Sequence, residues 1–289
     1  MTDTTVTLTG TGVPHAAPGR AGAGVMVRHG NTVLQFDAGR ATVLRIIEAG
    51  ISPTDVTAVF VTHYHSDHVM DLPDMVITHW VQQRLKQTPP LQVIAPAGPA
   101  ARFVHRMMEP FDDDIHVRKE HTGSPDPRID AQEFVPGTTP AEVWRSADGV
   151  VRVDAVAVHH EPVEGAVAYR VTTPDGVVVI SGDTRACDEV FSMAQDCDVL
   201  VHETCRKRAM AESIQGTAFE QIFDYHADSV TVGELAQQYG IKHLVLTHLI
   251  PQPRTAEDEQ KFADDARAGG YTGQITVGRD LFKVSIPQR

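Results

Sequence analysis

The chain has 289 residues, a formal net charge of -13 at pH 7 and 42% hydrophobic residues. This length accommodates one large domain or two small ones with a sizeable core. The acidic balance argues against a nucleic acid or an anionic membrane as partner, because both carry negative charge themselves. The densest basic run, residues 206–208, is short and typical of a solvated helix face.

Cysteine usage and the amino terminus bear on the compartment. The chain has 3 cysteines and no C-x-x-C pair, which fits a reducing compartment rather than a disulfide framework. The first residues lack the basic and apolar regions of a signal peptide, and no apolar run approaches the ~20 residues of a membrane-spanning helix. We therefore expect a cytoplasmic protein without a membrane segment.

The amino-terminal part predicts short strands followed by a helix. Apolar runs alternate with glycine and proline over residues 5–37, which indicates an antiparallel β-meander with a hairpin turn at residues 29–31. Apolar residues at helical spacing over residues 43–47 predict a helix that Gly50 ends. Residues 58–61 are apolar and rich in β-formers, as in a fully buried strand.

An H-x-H-x-D-H motif follows that strand directly and consists of His63, His65, Asp67 and His68. A loop at the end of a strand can direct two imidazoles toward one ion, and a carboxylate with an imidazole toward a second. These groups suit zinc, with manganese or iron as alternatives. A histidine-rich surface turn is the other interpretation, but this spacing after a buried strand favours a metal site.

The middle of the chain continues the alternation and then changes character. Apolar positions from Val69 predict a helix to about Leu85, followed by a strand over residues 91–94 and a helix over residues 100–108. Residues 109–148 are rich in aspartate, proline and glycine and have few apolar runs. Because they could not bury a core of their own, we predict a lid or an insertion rather than a separate domain.

In the second half, predicted strands end repeatedly in polar residues. These residues are His159 and His160, Asp183, His202 and Glu203, and His248. Open α/β folds place their chemistry at strand ends, so position alone makes these residues candidates. Residues 229–239 predict a further helix, which Gly240 ends. The alternation predicts two sheets with helices outside, in one domain of four layers.

Together these residues resemble the metallo-β-lactamase superfamily, and within it the branch of ribonuclease Z and arylsulfatase-like enzymes. Besides the H-x-H-x-D-H motif, the resemblance is carried by residues 10–14, 36–39, 160, 169–170, 181–184, 202–204, 226 and 246–248. It spans nearly the whole chain. It implies an αββα fold, with two mixed β-sheets between helices, as a single domain over residues 1–289. A homodimer is a further expectation from the family.

The resemblance also implies a dinuclear zinc site. The implied ligands are His63, His65 and His160 for the first ion, Asp67, His68 and His248 for the second, and Asp183 as the bridge. His159 adjoins His160, and the spacing to residues 169–170 favours His160 as the ligand. Glu203 and His226 match a glutamate and a histidine that lie beside the metals in the ribonuclease Z branch.

Such a site would hydrolyse an ester with a metal-bridging hydroxide as nucleophile, since two cations lower the pKa of a shared water to near neutral. Asp67 would orient this hydroxide through a hydrogen bond. His226, oriented by Glu203, would donate to the transition-state oxygen or protonate the leaving group. The alternative for Glu203 and His226 is a structural hydrogen-bond pair.

Three departures from ribonuclease Z argue against RNA as the substrate. The interval between His160 and Asp183 leaves no room for the long arm of bacterial ribonuclease Z, the loop after His248 differs, and the chain is acidic. We therefore expect a small-molecule ester as substrate: a phosphodiester, an aryl sulfate, a lactone or an aryl ester. Trp144 or Phe134 would contribute to the pocket wall.

Other functions stay open. A ribonuclease Z-like phosphodiesterase that acts on RNA is the first alternative. A redox role through a di-iron centre would call for a flavin-binding partner domain, which the sequence lacks. A non-catalytic metal-binding scaffold would be expected to lack a ligand, whereas every ligand position of the family pattern is filled here.

Overall fold

The structure is a computed structural model that describes residues 3–83 and 88–287. Within these residues, two sheets of seven strands pack face to face, and helices cover both outer faces. The predicted four-layer αββα architecture with two mixed sheets is confirmed. Among the described helices, none is long and apolar enough to cross a membrane.

The first sheet joins an antiparallel meander to a parallel half. In spatial order it contains β14 (Lys283–Ile286), β1 (Thr4–Gly10), β2 (Gly24–His29), β3 (Thr32–Phe36), β4 (Ala58–Phe60), β5 (Leu91–Pro96) and β6 (Ile129–Phe134). Strands β14 to β3 pair antiparallel, and β3 to β6 pair parallel. The predicted hairpin turn lies between β2 and β3, where Gly30 adopts a φ of 58° that glycine tolerates without steric cost.

The second sheet is mixed in the same way. In spatial order it contains β13 (Gln274–Val277), β12 (His243–Ile250), β11 (Val199–Cys205), β10 (Val177–Ile180), β9 (Val167–Thr172), β8 (Arg152–Ala157) and β7 (Ala141–Arg145). Strands β10 to β13 are parallel, whereas β7 to β10 are antiparallel. The carboxyl ends of the parallel strands therefore meet at one edge of each sheet.

The helices flank the two sheets. Their bounds are Thr42–Glu48 (α1), Ser66–Val69 (α2), Leu72–Gln82 (α3), Pro99–Arg106 (α4), Asp112–Thr122 (α5), Asp188–Met193 (α6), Lys207–Ile214 (α7), Ser229–Gln238 (α8) and Ala256–Ala268 (α9). Short 3-10 turns span Pro53–Asp55, Glu109–Phe111 and Ala218–Asp224. Gly50, with a φ of 80°, follows α1 as predicted. The expected end of α3 near Leu85 lies outside the described residues.

The core has three apolar layers. Between the sheets, the rings of Phe36 and Phe60 stack at 4.8 Å, and Tyr169 meets Phe60 edge-on at 5.5 Å. A second layer lies between the first sheet and helices α1, α3 and α4, and a third lies between the second sheet and helices α6, α8 and α9. Burial on both faces explains why the central strands are nearly continuous apolar runs.

Residues 109–148, for which we predicted a lid or an insertion, contain α5 and one edge strand from each sheet, β6 and β7. We expected Trp144 to contribute to a pocket wall, and for this residue the expectation was wrong. It is buried between the sheets, where its ring meets Phe60 edge-on at 5.8 Å and its Nε1 donates to Gln92 Oε1 at 2.6 Å. A role of this segment in covering a substrate stays a prediction.

Candidate metal centre and active site

The residues implied as ligands meet at one end of the sandwich, where strands of both sheets end. The H-x-H-x-D-H motif follows β4 and opens α2. In the second sheet His160 follows β8, Asp183 follows β10 and His248 lies on β12. The structure thus brings together every residue for which the resemblance implied a ligand role. His159 points elsewhere, since its ring pairs with Glu161 and Glu189, each at 3.2 Å.

The ligand atoms form overlapping groups, in each of which they lie within 4.8 Å of one another. The groups are His63, His65, His160 and Asp183; Asp67, His68 and His248; and Asp183, His226 and His248. All of these side chains are buried except His65, which is partly exposed. Burial of so many ionisable groups is costly unless a counter-charge or a metal ion accompanies them.

Asp183 lies between the first two groups. Its Oδ2 is 3.3 Å from His68 Nε2 and 3.4 Å from His248 Nε2. The same oxygen is 3.9 Å from the Nε2 atoms of both His63 and His160. One carboxylate oxygen therefore faces both sets of imidazoles, which is the position that a bridging ligand requires.

The donor geometry fits a metal ion in the first group. His160 Nε2 and His65 Nδ1 are 3.3 Å apart, and two ligands that bind one tetrahedral zinc ion at ~2.1 Å lie at about that separation from each other. The Nε2 atom of His63 is buried and has no hydrogen-bond partner among the described residues. A buried nitrogen without a partner is unfavourable unless an ion occupies that direction.

Asp37, to which the sequence analysis gave no role, fixes the orientation of the motif. Its carboxylate accepts hydrogen bonds from His68 Nδ1 at 2.7 Å, from the Thr62 hydroxyl at 2.7 Å and from the Thr62 backbone N–H at 2.8 Å. The Thr62 hydroxyl in turn accepts from His63 Nδ1 at 3.0 Å. Both imidazoles consequently present Nε2 to the centre, as supporting hydrogen bonds commonly ensure around metals. In the sequence, the signal for Asp37 is that residues 36–39 carry part of the family resemblance.

Two more local features aim ligands at the centre. His160 donates from Nδ1 to the Tyr225 carbonyl at 2.9 Å, which leaves Nε2 for the site. On β12, Thr247 pairs with Glu203 and Leu249 pairs with the next residue of β11, so His248 is the extra residue of a β-bulge, with a φ of 45°. Bulges re-aim side chains, and a positive φ is uncommon at a non-glycine residue.

The electrostatics of the site separate two kinds of imidazole. Burial, reinforced by His68, keeps the pKa of His63 well below its usual value, and burial also lowers the pKa of His65 and His160. These histidines are therefore neutral, which is the form that binds metals. Burial also lowers the pKa of His68, but the carboxylates that surround it raise the pKa well above the usual value: Asp183, Asp67 and Asp37. The site around His68 thus attracts positive charge.

Glu203 and His226 form a buried pair beside this centre. His226 Nδ1 donates to Glu203 Oε1 at 2.8 Å, and the same oxygen accepts the backbone N–H of Thr184 at 3.0 Å. Burial lowers the pKa of His226, but the Glu203 carboxylate outweighs it and raises the pKa above its usual value. The ring of His226 stacks on that of His248 at 5.4 Å, so its second nitrogen is close to the implied ligands.

Comparison with known proteins identifies the family. A family model described as the metallo-beta-lactamase superfamily matches residues 17–203. The chain belongs to this superfamily. Proteins named Ribonuclease Z from Mycobacterium bovis and Mycobacterium marinum are each 34% identical to it over 286 residues, which cover 98% of this chain and 99% of the relative. The chain therefore falls in the ribonuclease Z branch and is a metal-dependent hydrolase.

Solved structures share the fold. The metallo-beta-lactamase fold protein YhfI from Bacillus subtilis superposes with a TM-score of 0.71 at 20% identity, and the short form of human tRNase Z superposes with 0.67 at 19%. Both comparisons cover 98% of this chain and 99% of the other. A diphosphatase of the PhnP family reaches 0.63 at 17% identity, covering 99% of this chain and 98% of the other. Likeness at such identities shows the fold and leaves the substrate open.

Our expectation of a small-molecule substrate, with nucleic acid an unlikely partner, was wrong, since relatives matched over nearly their whole length carry the name Ribonuclease Z. The absence of the arm no longer argues against an RNA substrate, because 99% coverage of these relatives leaves no long segment that this chain lacks. The acidic net charge does not argue against an RNA substrate, because it sums over the whole surface and omits any bound cations. Substrate binding depends instead on the local electrostatic field.

Proposed function

We propose that this protein is a ribonuclease Z-like phosphodiesterase that cleaves RNA, with transfer RNA as the substrate class suggested by the name of one structural neighbour, human tRNase Z. The observation that carries the proposal is the 34% identity to Ribonuclease Z over 98% of the chain. The pair of Glu203 and His226 beside the ligand groups supports it. Hydrolysis of a small ester, our first expectation, has no comparable support.

We propose two zinc ions as the cofactor, with manganese or iron as alternatives. The proposed ligands are His63, His65 and His160 in one group, Asp67, His68 and His248 in the other, and Asp183 shared by both. Their nitrogen and oxygen atoms suit these metals. Ions held there would supply Lewis acidity and lower the pKa of a water in contact with them.

Side chains of the protein would supply the proton donor, its positioning partner and the group that orients the attacking water. During hydrolysis a water oxygen forms a bond to phosphorus, the bond from phosphorus to the leaving ribose oxygen breaks, and that oxygen takes up a proton. We assign His226 as the donor of this proton, because Nδ1 is held by Glu203 and the other ring nitrogen is left for the substrate. Glu203 acts as a positioning residue. Asp67, whose Oδ2 is 3.2 Å from His248 Nε2, would orient the attacking water.

The proposal also covers the cellular compartment and the oligomeric state of the protein. A cytoplasmic location is supported by the three cysteines, Cys187, Cys197 and Cys205, which are all free. A homodimer stays a prediction from the family.

The test compares substrates on the full-length protein loaded with zinc. The substrates are an RNA stem with a single-stranded 3′ extension, a DNA of the same sequence, a chromogenic phosphodiester and an aryl acetate. We expect cleavage of the RNA at a defined position. Asp183→Asn should abolish cleavage and reduce bound metal, while Asp175→Asn, a buried aspartate elsewhere, should keep both.

Turnover of a small ester with the RNA left intact would overturn the proposal. Equal cleavage of RNA by wild type and Asp183→Asn would show that the activity does not come from this site. Circular dichroism of each variant would establish that the fold is retained.

A further inference from the structure

Two tyrosines flank the candidate centre and have no part in the functions assigned so far. Tyr64 stands inside the H-x-H-x-D-H motif, between His63 and His65, and is 36% exposed. Tyr225 immediately precedes His226 and is half-buried. Neither hydroxyl has a hydrogen-bond partner within residues 3–83 and 88–287. Tyrosines that serve only packing usually bury their ring and bond their hydroxyl, as Tyr169 does here through Val61 O at 2.7 Å.

Ring contacts link the two tyrosines through two of the proposed ligands. The ring of Tyr64 meets that of His65 at 6.0 Å, His65 meets His160 at 5.1 Å, and His160 meets Tyr225 edge-on at 5.2 Å. The four rings thus form a continuous row with a tyrosine at each end. Because the inner two are proposed metal ligands, a base that stacks on either tyrosine would lie close to the reacting phosphate.

The backbone holds both tyrosines in place. Tyr64 is fixed by ligand residues on either side of it, and α2 begins at Ser66. The carbonyl of Tyr225 accepts the hydrogen bond from His160 Nδ1 at 2.9 Å. An aromatic ring with few free torsions loses little conformational entropy when a flat partner stacks on it.

Stacking on aromatic rings is a source of affinity for RNA that does not depend on a basic surface. Unpaired bases are commonly bound by stacking on aromatic side chains, and this interaction tolerates any base because each has a π-face. We propose that Tyr64 and Tyr225 form a stacking subsite with two faces, one at each end of this row, on which the unpaired bases on either side of the scissile phosphate stack. The inference rests on the proposed function and specifies how that site would hold RNA.

The experiment measures KM and kcat with the RNA described above and with two copies of it, each carrying an abasic nucleotide on one side of the cleavage position. For wild type, each abasic RNA should raise KM by about tenfold, which is within the range of a lost base–aromatic contact. Tyr64→Ala and Tyr225→Ala should each raise KM on the intact RNA by a similar factor, with kcat little changed. Each variant should show no further rise on the abasic RNA that lacks the base stacked on its own tyrosine.

Matched variants separate stacking from structure. Tyr64→Phe keeps the ring and should behave as wild type, whereas Tyr64→Leu keeps only the apolar bulk and should behave as Tyr64→Ala. Metal content, measured on every variant, should stay at the wild-type value. Val117→Ala, which removes an exposed side chain of α5, serves as the surface control.

The outcomes for the subsite and for the function are distinguishable. If wild type cleaves RNA but neither abasic RNA raises KM, the subsite is overturned and the proposed function stands. If Tyr64→Leu matches wild type, the side chain contributes bulk rather than stacking, which also overturns the subsite. If wild type leaves the RNA intact, the proposed function fails and the subsite with it.

Discussion

At the scale of single residues, the Asp37 carboxylate determines how two imidazoles face the centre, through direct contact with His68 and through Thr62 for His63. Both of its oxygens accept hydrogen bonds, from three donors in all. An asparagine at position 37 would direct its N–H₂ group toward one of these donors, and two donors cannot form a hydrogen bond. The orientation of the motif therefore depends on a residue outside it.

We expect Asp37→Asn to weaken metal binding by about 10–100-fold, the usual effect of losing such a supporting partner. Chelator competition measures this affinity. The chain provides a matched control in Asp175, whose Oδ2 accepts from the Thr4 N–H at 2.8 Å, from the Thr4 hydroxyl at 2.7 Å and from His29 Nδ1 at 3.1 Å. Asp175→Asn should reduce stability without changing metal affinity. Equal affinity losses in both variants would contradict the role given to Asp37.

His226 offers a second prediction at this scale. If it donates the proton, His226→Ala should lower kcat by roughly 10²–10⁴-fold while the bound metal stays at the wild-type amount. Elemental analysis of the purified variant measures the metal. Loss of one ion per chain would instead make His226 a ligand together with Asp183 and His248, a group whose atoms lie within 4.8 Å.

At the scale of elements, the H-x-H-x-D-H loop is held by the close approach of glycine backbones. A Cβ on Gly39 would lie 2.0 Å from the carbonyl oxygen of Asp67 and 2.5 Å from the carbonyl carbon of Gly22. The contact joins the end of β3 to the start of α2, and backbone atoms cannot yield as a flexible side chain can.

We expect Gly39→Ala to lower the free energy of unfolding by at least about 1–3 kcal/mol, because the loop must move to admit the methyl group. Urea denaturation measures this change, and metal affinity should fall with it. Gly137→Ala is the control, since the nearest atom to its added Cβ is 3.6 Å away. A wild-type unfolding midpoint for Gly39→Ala would show that the loop adjusts freely.

The elements differ in how far the sequence could predict them. Buried central strands such as β4 and β10 give short but uninterrupted apolar runs, so their ends, and with them His63 and Asp183, could be located in advance. The edge strand β6 has no fully buried residue and gives no apolar run, so its segment was predicted as a lid or an insertion. The role of Asp37 could not be foreseen, because it arises only when β3 and β4 pair and bring residue 37 to the motif.

At the scale of the whole molecule, the net charge of -13 has a consequence for RNA binding. A protein that makes many phosphate contacts loses about 10³–10⁵ in affinity between roughly 50 and 200 mM salt. If binding here relies on metal ligation and stacking, few counterions are released. We expect KM for RNA to rise less than about tenfold over that range. A rise of a thousandfold would indicate a phosphate-binding surface elsewhere on the chain.

The proposed ligands divide between the two sheets: the H-x-H-x-D-H loop belongs to the first, and His160, Asp183 and His248 belong to the second. An ion bound at this end would therefore cross-link the halves of the sandwich without a covalent bond. The chelated and the loaded protein should differ most in amide hydrogen exchange at the facing ends of β4 and β12, and little at the opposite rim. Metal supply would then govern the lifetime of the folded enzyme as well as its turnover.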